Sequence, residues 1–399
     1  MHNIQQLFTL AVIAVLATIS GCVGRPYVYE PANLTGLRDR AETRTDGDVR
    51  VSAAVAGRDE TKAVFGIDLY AQGIQPIWLE IENRASTQVR YALVSTDSNY
   101  FSPFEVAYKN RGGFSNEGRL TMEKRFVELG MPRYIDADET RSGFVFTHAE
   151  SGTKGFNVDV FGATDLSSFS FLLPVPGFEP DYANVDAASI YSADELTTYN
   201  KDQIAAALRD MPCCSTSESG EPSGEPLNII LVGNGPELLQ ALLRSGWTET
   251  SVKESAELEP QFLFGRPQEA IFRHESLESD SVYEMRFWLA PIMYEQERVW
   301  VGQARHFYLW GGALRRFDPD VDNARNFAMQ KLLYGQALRA IGWLAGDAVV
   351  PTESFWDLFL PAPYFTDGYR IVLWLSPEPL AVNQIDIKNW DVPPRWKNE

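Results

Sequence analysis

The sequence predicts an α+β multidomain chain. An immunoglobulin-like β-sandwich over residues 49–180 is followed, over residues 226–399, by an α+β domain with a mainly antiparallel sheet and two principal helices. Three observations carry this. The length of 399 residues, with 45% apolar and 22% charged side chains, suits two ordinary hydrophobic cores. Between Val49 and Gly177 apolar residues recur at every second position. After the stretch Leu173-Pro174-Val175-Pro176-Gly177, strand-like and helix-like spacings alternate.

The N-terminus reads as a processing and anchoring segment. Leu7 to Ile19 is apolar apart from threonines and too short to span a bilayer as an ordinary helix, as suits the h-region of a signal peptide over residues 1–21. Ser20, Gly21 and Cys22 follow, and Ile19-Ser20-Gly21-Cys22 resembles the bacterial lipobox. The resemblance implies lipidation of Cys22, which becomes the new N-terminus. The chain is then held to a membrane by its acyl chains, and Val23 in place of aspartate favours the periplasmic face of the outer membrane. From Arg25 to Asp48 the chain is polar and charged, as expected of a tether over residues 22–48.

The sandwich follows from period-two patterning. Ile77, Leu79 and Ile81 alternate with Trp78, Glu80 and Glu82. Val89, Tyr91 and Leu93 form a second such run, Phe104, Val106 and Tyr108 a third, and Phe156, Val158 and Val160 a fourth. Short strands with one apolar face each must pack sheet on sheet. His148 shares a face with Phe144 and Phe146 and reads as a packed or hydrogen-bonded core residue.

Residues 181–225 read as a linker containing one helix. Asn200 and Gln203 make a capping box, and Pro212 ends the helix. Of the three cysteines, Cys213 and Cys214 are neighbours, and no metal-binding spacing surrounds them. In the second domain a strand from Leu227 to Val232 leads through a turn into a helix with Leu238, Leu239, Leu242 and Leu243 on one stripe. Pro236 suits its first turn and Gly246 its end. Two long alternating strands follow, joined at Tyr294-Glu295-Gln296-Glu297, then a long helix and an aromatic, proline-rich C-terminal stretch.

Several function classes fall away. The net charge of -19, with no basic run, repels a nucleic-acid backbone. The Gly233-Asn234-Gly235 turn has leucine where a dinucleotide fingerprint needs its third glycine and lacks the lysine of a phosphate loop, so no cofactor is expected. Nor is there a Gly-x-Ser-x-Gly elbow or a His-Glu-x-x-His helix, and the chain has only four histidines. No catalytic residue and no metal ligand is assigned.

The segment Arg315 to Arg325 places Asp318, Asp320 and Asp322 at alternate positions. A calcium loop starting at Asp318 would need glycine and glutamate where Asn323 and Met329 stand. A capped helix fits better: Asp318 as the cap, Pro319 at the first helical position, Asp320 and Asp322 in the first turn, and Asp322 paired with Arg325 on the surface. A metal or acid/base site assembled with distant residues is the alternative. The candidate ligand-binding residues are Arg266, whose guanidinium fork suits a phosphate or carboxylate, and His274, Glu284 and His306, which neighbouring strands bring to a small site. The aromatic segment from Phe355 to Phe365 reads as a groove or as core.

The motifs "PLNIILVG", "LLRSGW", "FGRPQE", "MRFW", "VWVGQA", "DPDVDNAR" and "PYFTDGYR", in this order between Pro226 and Trp390, are similar to those of the LssY C-terminal domain family. The resemblance implies work at the cell envelope and supplies no established activity. The sequence departs from that family's pattern at Glu284, at His306 with Phe307, and at Leu314 with Arg315, where relatives carry other polar residues. The expected role is that of a lipid-anchored, periplasm-facing binding or scaffold protein whose partner is an envelope lipid, glycan or protein. The alternative is a hydrolase acting on a phosphorylated or glycosylated envelope lipid.

Overall fold

The computed structural model describes residues 24–150, 152–178, 189–250, 260–275, 281–310, 314–346, 349–357 and 362–391. Cys22 and the signal segment lie outside them, as does Phe359. Among the described residues no helix is long and apolar enough to cross a membrane. The chain divides into two compact units, one running to Glu150 with Phe156–Gly177, the other comprising Ser151–Gly155 and the chain from Phe178 onward.

The first unit carries strands β1 (Glu42–Asp46), β2 (Val49–Val55), β3 (Ile74–Asn83), β4 (Val89–Ala92), β5 (Tyr134–Ile135), β6 (Glu139–His148), β7 (Thr153–Phe161, in this unit from Phe156 onward) and β8 (Leu166–Pro174). Its helices are α1 (Thr35–Asp39), α2 (Arg58–Phe65), α3 (Leu93–Thr96), α4 (Pro103–Asn110) and α5 (Asn116–Leu129). Two four-stranded sheets, β1-β2-β3-β6 and β5-β4-β7-β8, share one core in which Val51, Ile77 and Leu79 meet Tyr91, Val158 and Phe171. Helices cover the other face of the first sheet, where Trp78, Phe144 and Phe146 pack with Phe65, Val106 and Phe126. Trp78, assigned by alternation to an outer face, is therefore buried under this helical layer.

Three expectations need correction in this unit. Phe104, Val106 and Tyr108 belong to helix α4, not to a strand. The Ser102 hydroxyl accepts the Glu105 N–H at 3.2 Å, and Pro103 opens the helix. Adjacent Val106 and Ala107 are buried, whereas Phe104 and Tyr108 are exposed, a spacing that fits a helix and not an alternating strand. The expected tether is folded as well. Tyr27 is buried and donates to the Phe65 carbonyl at 2.6 Å, Leu37 is buried, and Glu42–Asp46 pair antiparallel with β2. Its charges mark an edge strand, where they oppose further strand pairing. Finally, His148 stands half exposed, its Nδ1 2.9 Å from Asp97 Oδ2, rather than in the core.

The second unit is built on β9 (Thr197–Tyr199), β10 (Cys214–Thr216), β11 (Pro222–Pro226), β12 (Ile229–Val232), β13 (Thr248–Thr250), β14 (Phe262–Leu263), β15 (Arg266–Pro267) and β16 (Ala270–Glu275). It continues through β17 (Val282–Tyr294), β18 (Glu297–Trp310), β19 (Leu314–Phe317), β20 (Leu338–Ala345), β21 (Tyr369–Leu375) and β22 (Asp386–Ile387). Its helices are α6 (Ile204–Arg209), α7 (Gly235–Arg244), α8 (Val321–Tyr334) and α9 (Thr352–Phe355). A ten-stranded sheet runs β13-β16-β17-β18-β12-β21-β20-β22, with β19 beside β18 and β9 beside β17. Most of its pairs are antiparallel; β12–β21, β20–β22 and β9–β17 are parallel. The fold is thus α+β.

One sheet face packs α7 and α8 through Leu238, Leu242, Ala324, Ala328 and Leu332 against Phe272, Met285 and Phe287. The other packs α6 through Ile204 and Leu208 against Trp288, Val301 and Trp374. The capping box Asn200–Gln203 is present, with reciprocal bonds of 3.2 and 3.3 Å. Cys213 and Cys214 form a vicinal disulfide at the start of β10.

Candidate functional site

Strands β16, β17 and β18 place their side chains by register. Arg273 faces Glu284, and Glu284 faces Arg305; one position away His274 faces Tyr283, and Tyr283 faces His306. Because successive side chains point to opposite faces, the first row lies on the α6 side of the sheet and the second on the α7–α8 side. The four residues singled out in the sequence are therefore divided: Glu284 lies on one face, His274 and His306 on the other. Arg266 lies further along, at Leu289.

On the α6 side, Glu284 is 1% exposed and meets three guanidinium groups, Arg286 at 2.8 Å, Arg273 at 3.1 Å and Arg305 at 3.3 Å. Burial pushes its carboxyl up, but the three arginines outweigh burial and hold it below the usual carboxylate range. Glu225, 3.3 Å from Arg305, is pushed up by burial, which Arg305 and Arg286 only partly offset. Gln303 bonds Ser215 Oγ and the Glu225 carbonyl, each at 2.9 Å. Among the described residues, Arg305 Nε, Glu225 Oε2 and Gln303 Oε1 are buried without a hydrogen-bond partner.

On the α7–α8 side a chain of three polar groups crosses the end of the sheet. Ser281 Oγ lies 2.5 Å from His306 Nε2, and His306 Nδ1 lies 2.8 Å from Asp318 Oδ2. Ser281 stands two residues before Tyr283 on the same face, diagonal to His306, and the β18–β19 register, extended by one pair, brings Asp318 opposite His306. The Asp318 backbone N–H donates to the His306 carbonyl at 2.9 Å, and its Oδ1 accepts the Asp320 N–H at 3.0 Å. The imidazole is stacked on Tyr283, at 4.2 Å between centroids, and Tyr283 is stacked on Phe327 of α8. His274 packs edge-on against Trp247 and Phe327, and burial holds its imidazole below the ordinary histidine value.

The three aspartates have three jobs. Asp318 orients His306. Asp320, not Asp318, caps α8 by accepting the Asn323 N–H at 3.1 Å. Asp322 is buried, accepting the Thr366 hydroxyl and the Asp367 N–H at 2.7 Å each, with Arg325 at 3.2 Å. The Asp322–Arg325 pair, expected on the surface, is thus a core feature. Arg325 is 2% exposed and grips Asp367 through two nitrogens at 2.8 and 3.1 Å. Gly368 takes φ +77° there, and a Cβ on it would meet Val349 and the Gly346 carbonyl. These bonds tie the start of α8 to residues 366–367, joining two of the motifs read in the sequence.

The model of the LssY C-terminus family matches residues 253–369. This segment belongs to the LssY C-terminal family. No curated protein matches the chain. The LssY segment is shorter than the stretch of Pro226 to Trp390 that resembles it, so "PLNIILVG" and "LLRSGW" lie before it. It contains residues of both faces of the site, Glu284, His306, Ser281 and Asp318, whereas Glu225 and Ser215 lie before it.

Arg266, read as an anion binder, is committed within the LssY segment. Its Nε donates to Glu269 at 2.8 Å, and its other nitrogens donate to the Tyr191 hydroxyl and the Leu289 carbonyl. Sequence reading missed Arg273, Arg305, Ser281 and Asp318 as partners of the chosen residues. The signal was present for Arg273 and Arg305: three arginines and one glutamate on one face of three consecutive strands. Ser281 carries no local signal, because its neighbour His306 lies on the next strand.

Proposed function

We propose that the chain is a lipid-anchored cell-envelope protein on the periplasmic face of the outer membrane. Its LssY-like unit recognises an anionic, hydroxyl-bearing group of an envelope lipid or glycan, and an immunoglobulin-like sandwich serves as its adaptor. One observation carries the binding reading: Arg273, Arg286 and Arg305 converge on Glu284 in a chain whose net charge is -19. Among the described residues, three guanidinium groups face two carboxylates, those of Glu284 and Glu225. The side chains of Arg273 and Arg305, 14% and 12% exposed, are reached from solvent. An anionic oxygen of a ligand would pair with the part-exposed guanidinium groups of Arg273 and Arg305, each charge-assisted hydrogen bond being worth about 1.5–3 kcal/mol.

Isothermal titration of the full chain with glycerol 3-phosphate as probe tests the binding. Heat of binding is expected for the parent and at least a tenfold weaker affinity for Arg305→Gln; no binding by the parent sinks the reading. Anchoring is tested by membrane partitioning of Cys22→Ser, which should move the chain to the soluble fraction. The hydrolase reading draws on a different place, the Ser281–His306–Asp318 chain on the opposite sheet face.

A further inference from the structure

We propose that Ser281, His306 and Asp318 form a nucleophilic site that hydrolyses a carboxylic ester. The inference rests on the hydrolase reading and not on anion binding, which uses other residues on the other face of the sheet.

Activating a serine hydroxyl requires a base within hydrogen-bond reach and a third group that fixes the base's tautomer. Both are met with the correct nitrogens. Ser281 Oγ is 2.5 Å from Nε2, and Asp318 Oδ2 is 2.8 Å from Nδ1, so a proton on Nδ1 leaves Nε2 free to accept from Ser281. The carboxylate is itself held, since its second oxygen takes the Asp320 N–H at 3.0 Å, and the imidazole plane is set by Tyr283 on its face. This orienting contact is what distinguishes the arrangement from a histidine that merely touches a serine. His306 and Asp318 are 12% and 21% exposed, and Ser281 is partly exposed at the end of the sheet. An ester presented at a surface reaches them, and the aromatic rings of Tyr283 and Phe327 offer its acyl chain an apolar neighbour.

The chemistry balances with water as the only co-reactant. Ser281 Oγ bonds to the ester carbonyl carbon while its proton passes to His306 Nε2. The carbon–alkoxide bond then breaks, and the departing alkoxide takes that proton as an alcohol. Water, deprotonated by the same nitrogen, attacks the acyl-serine, and collapse releases the acid and returns the proton to Ser281. Ser281 and His306 are the catalytic residues; Asp318 is a positioning residue.

The test treats the full chain in detergent with a fluorophosphonate, which phosphonylates an activated serine with loss of fluoride, and locates the adduct by peptide mass. The adduct is expected on Ser281 and absent in Ser281→Ala. With p-nitrophenyl butyrate, Asp318→Asn should lower kcat by about 10⁴-fold with KM within about twofold, because it disturbs the base and not binding. An unlabelled parent chain, an adduct that persists in Ser281→Ala, or an unchanged kcat in Asp318→Asn would each overturn the proposal. Turnover of p-nitrophenyl phosphate in place of the butyrate would overturn the ester assignment. Labelling of the parent chain decides the matter even where a variant folds poorly.

Discussion

Removing the charge of Glu284 tests whether the arginine cluster is held by its one central carboxylate. Glu284→Gln keeps the side-chain shape and leaves Arg273, Arg286 and Arg305 facing one another. The three contacts, at 2.8, 3.1 and 3.3 Å, are each worth about 5–6 kcal/mol gross at an effective dielectric near 20. Desolvation of a carboxylate that is 1% exposed offsets most of that sum. The net cost of deleting one partner from a buried ionic cluster is about 3–5 kcal/mol, and with three arginines left we expect about 4. Urea unfolding followed by tryptophan fluorescence, read on the transition of the second unit, should show a midpoint lower by about 1.5 M for a slope of about 2–3 kcal/mol/M. Asp386→Asn, which removes the exposed partner of Lys388, should cost under about 1 kcal/mol. A midpoint for Glu284→Gln within about 0.3 M of the parent would refute the reasoning and mean that the guanidinium groups find other partners.

The same cluster carries a pH signature. The folded Glu284 carboxyl lies below its unfolded value near 4.3, so its contribution is complete above that pH and is lost as pH falls through the folded value. The stability gap between parent and Glu284→Gln should stay level from about pH 5 to 8 and close below about pH 4. Glu225 and Glu269, raised by burial, act with the opposite sign, so Glu225→Gln should become more stabilising relative to the parent as pH rises. Asp320→Ala should cost about 1 kcal/mol through loss of the α8 cap, whereas Asp318→Asn should change unfolding by less than about 0.5 kcal/mol; urea midpoints separate the two aspartates. Arg325→Lys should cost about 2–3 kcal/mol by losing the two-nitrogen grip on Asp367, measured the same way.

Local chemistry was legible wherever one stretch of chain decides it. The leucine stripe and the Pro236 first turn of α7, the Asn200–Gln203 box and the long antiparallel pair β17–β18 follow from spacing and capping, which act within a few residues. The same reasoning failed at Phe104–Tyr108, where a Ser-Pro cap outweighed an accidental alternation. It failed again at Glu42–Asp46, a run that is polar throughout and still pairs with β2. Backbone hydrogen bonding does not require an apolar side chain, so an exposed edge strand resembles a linker in composition.

The sequence alone determined the two-part α+β chain, the acidic surface and the family motifs, because composition and periodicity are properties of the chain itself. Only the tertiary structure decided what those motifs do. Register across β16, β17 and β18 sends Glu284 to three arginines on one face and His306 to Ser281 and Asp318 on the other. A shift of one residue would exchange the faces, and register is set by the whole sheet and its two packed layers, not by any single strand.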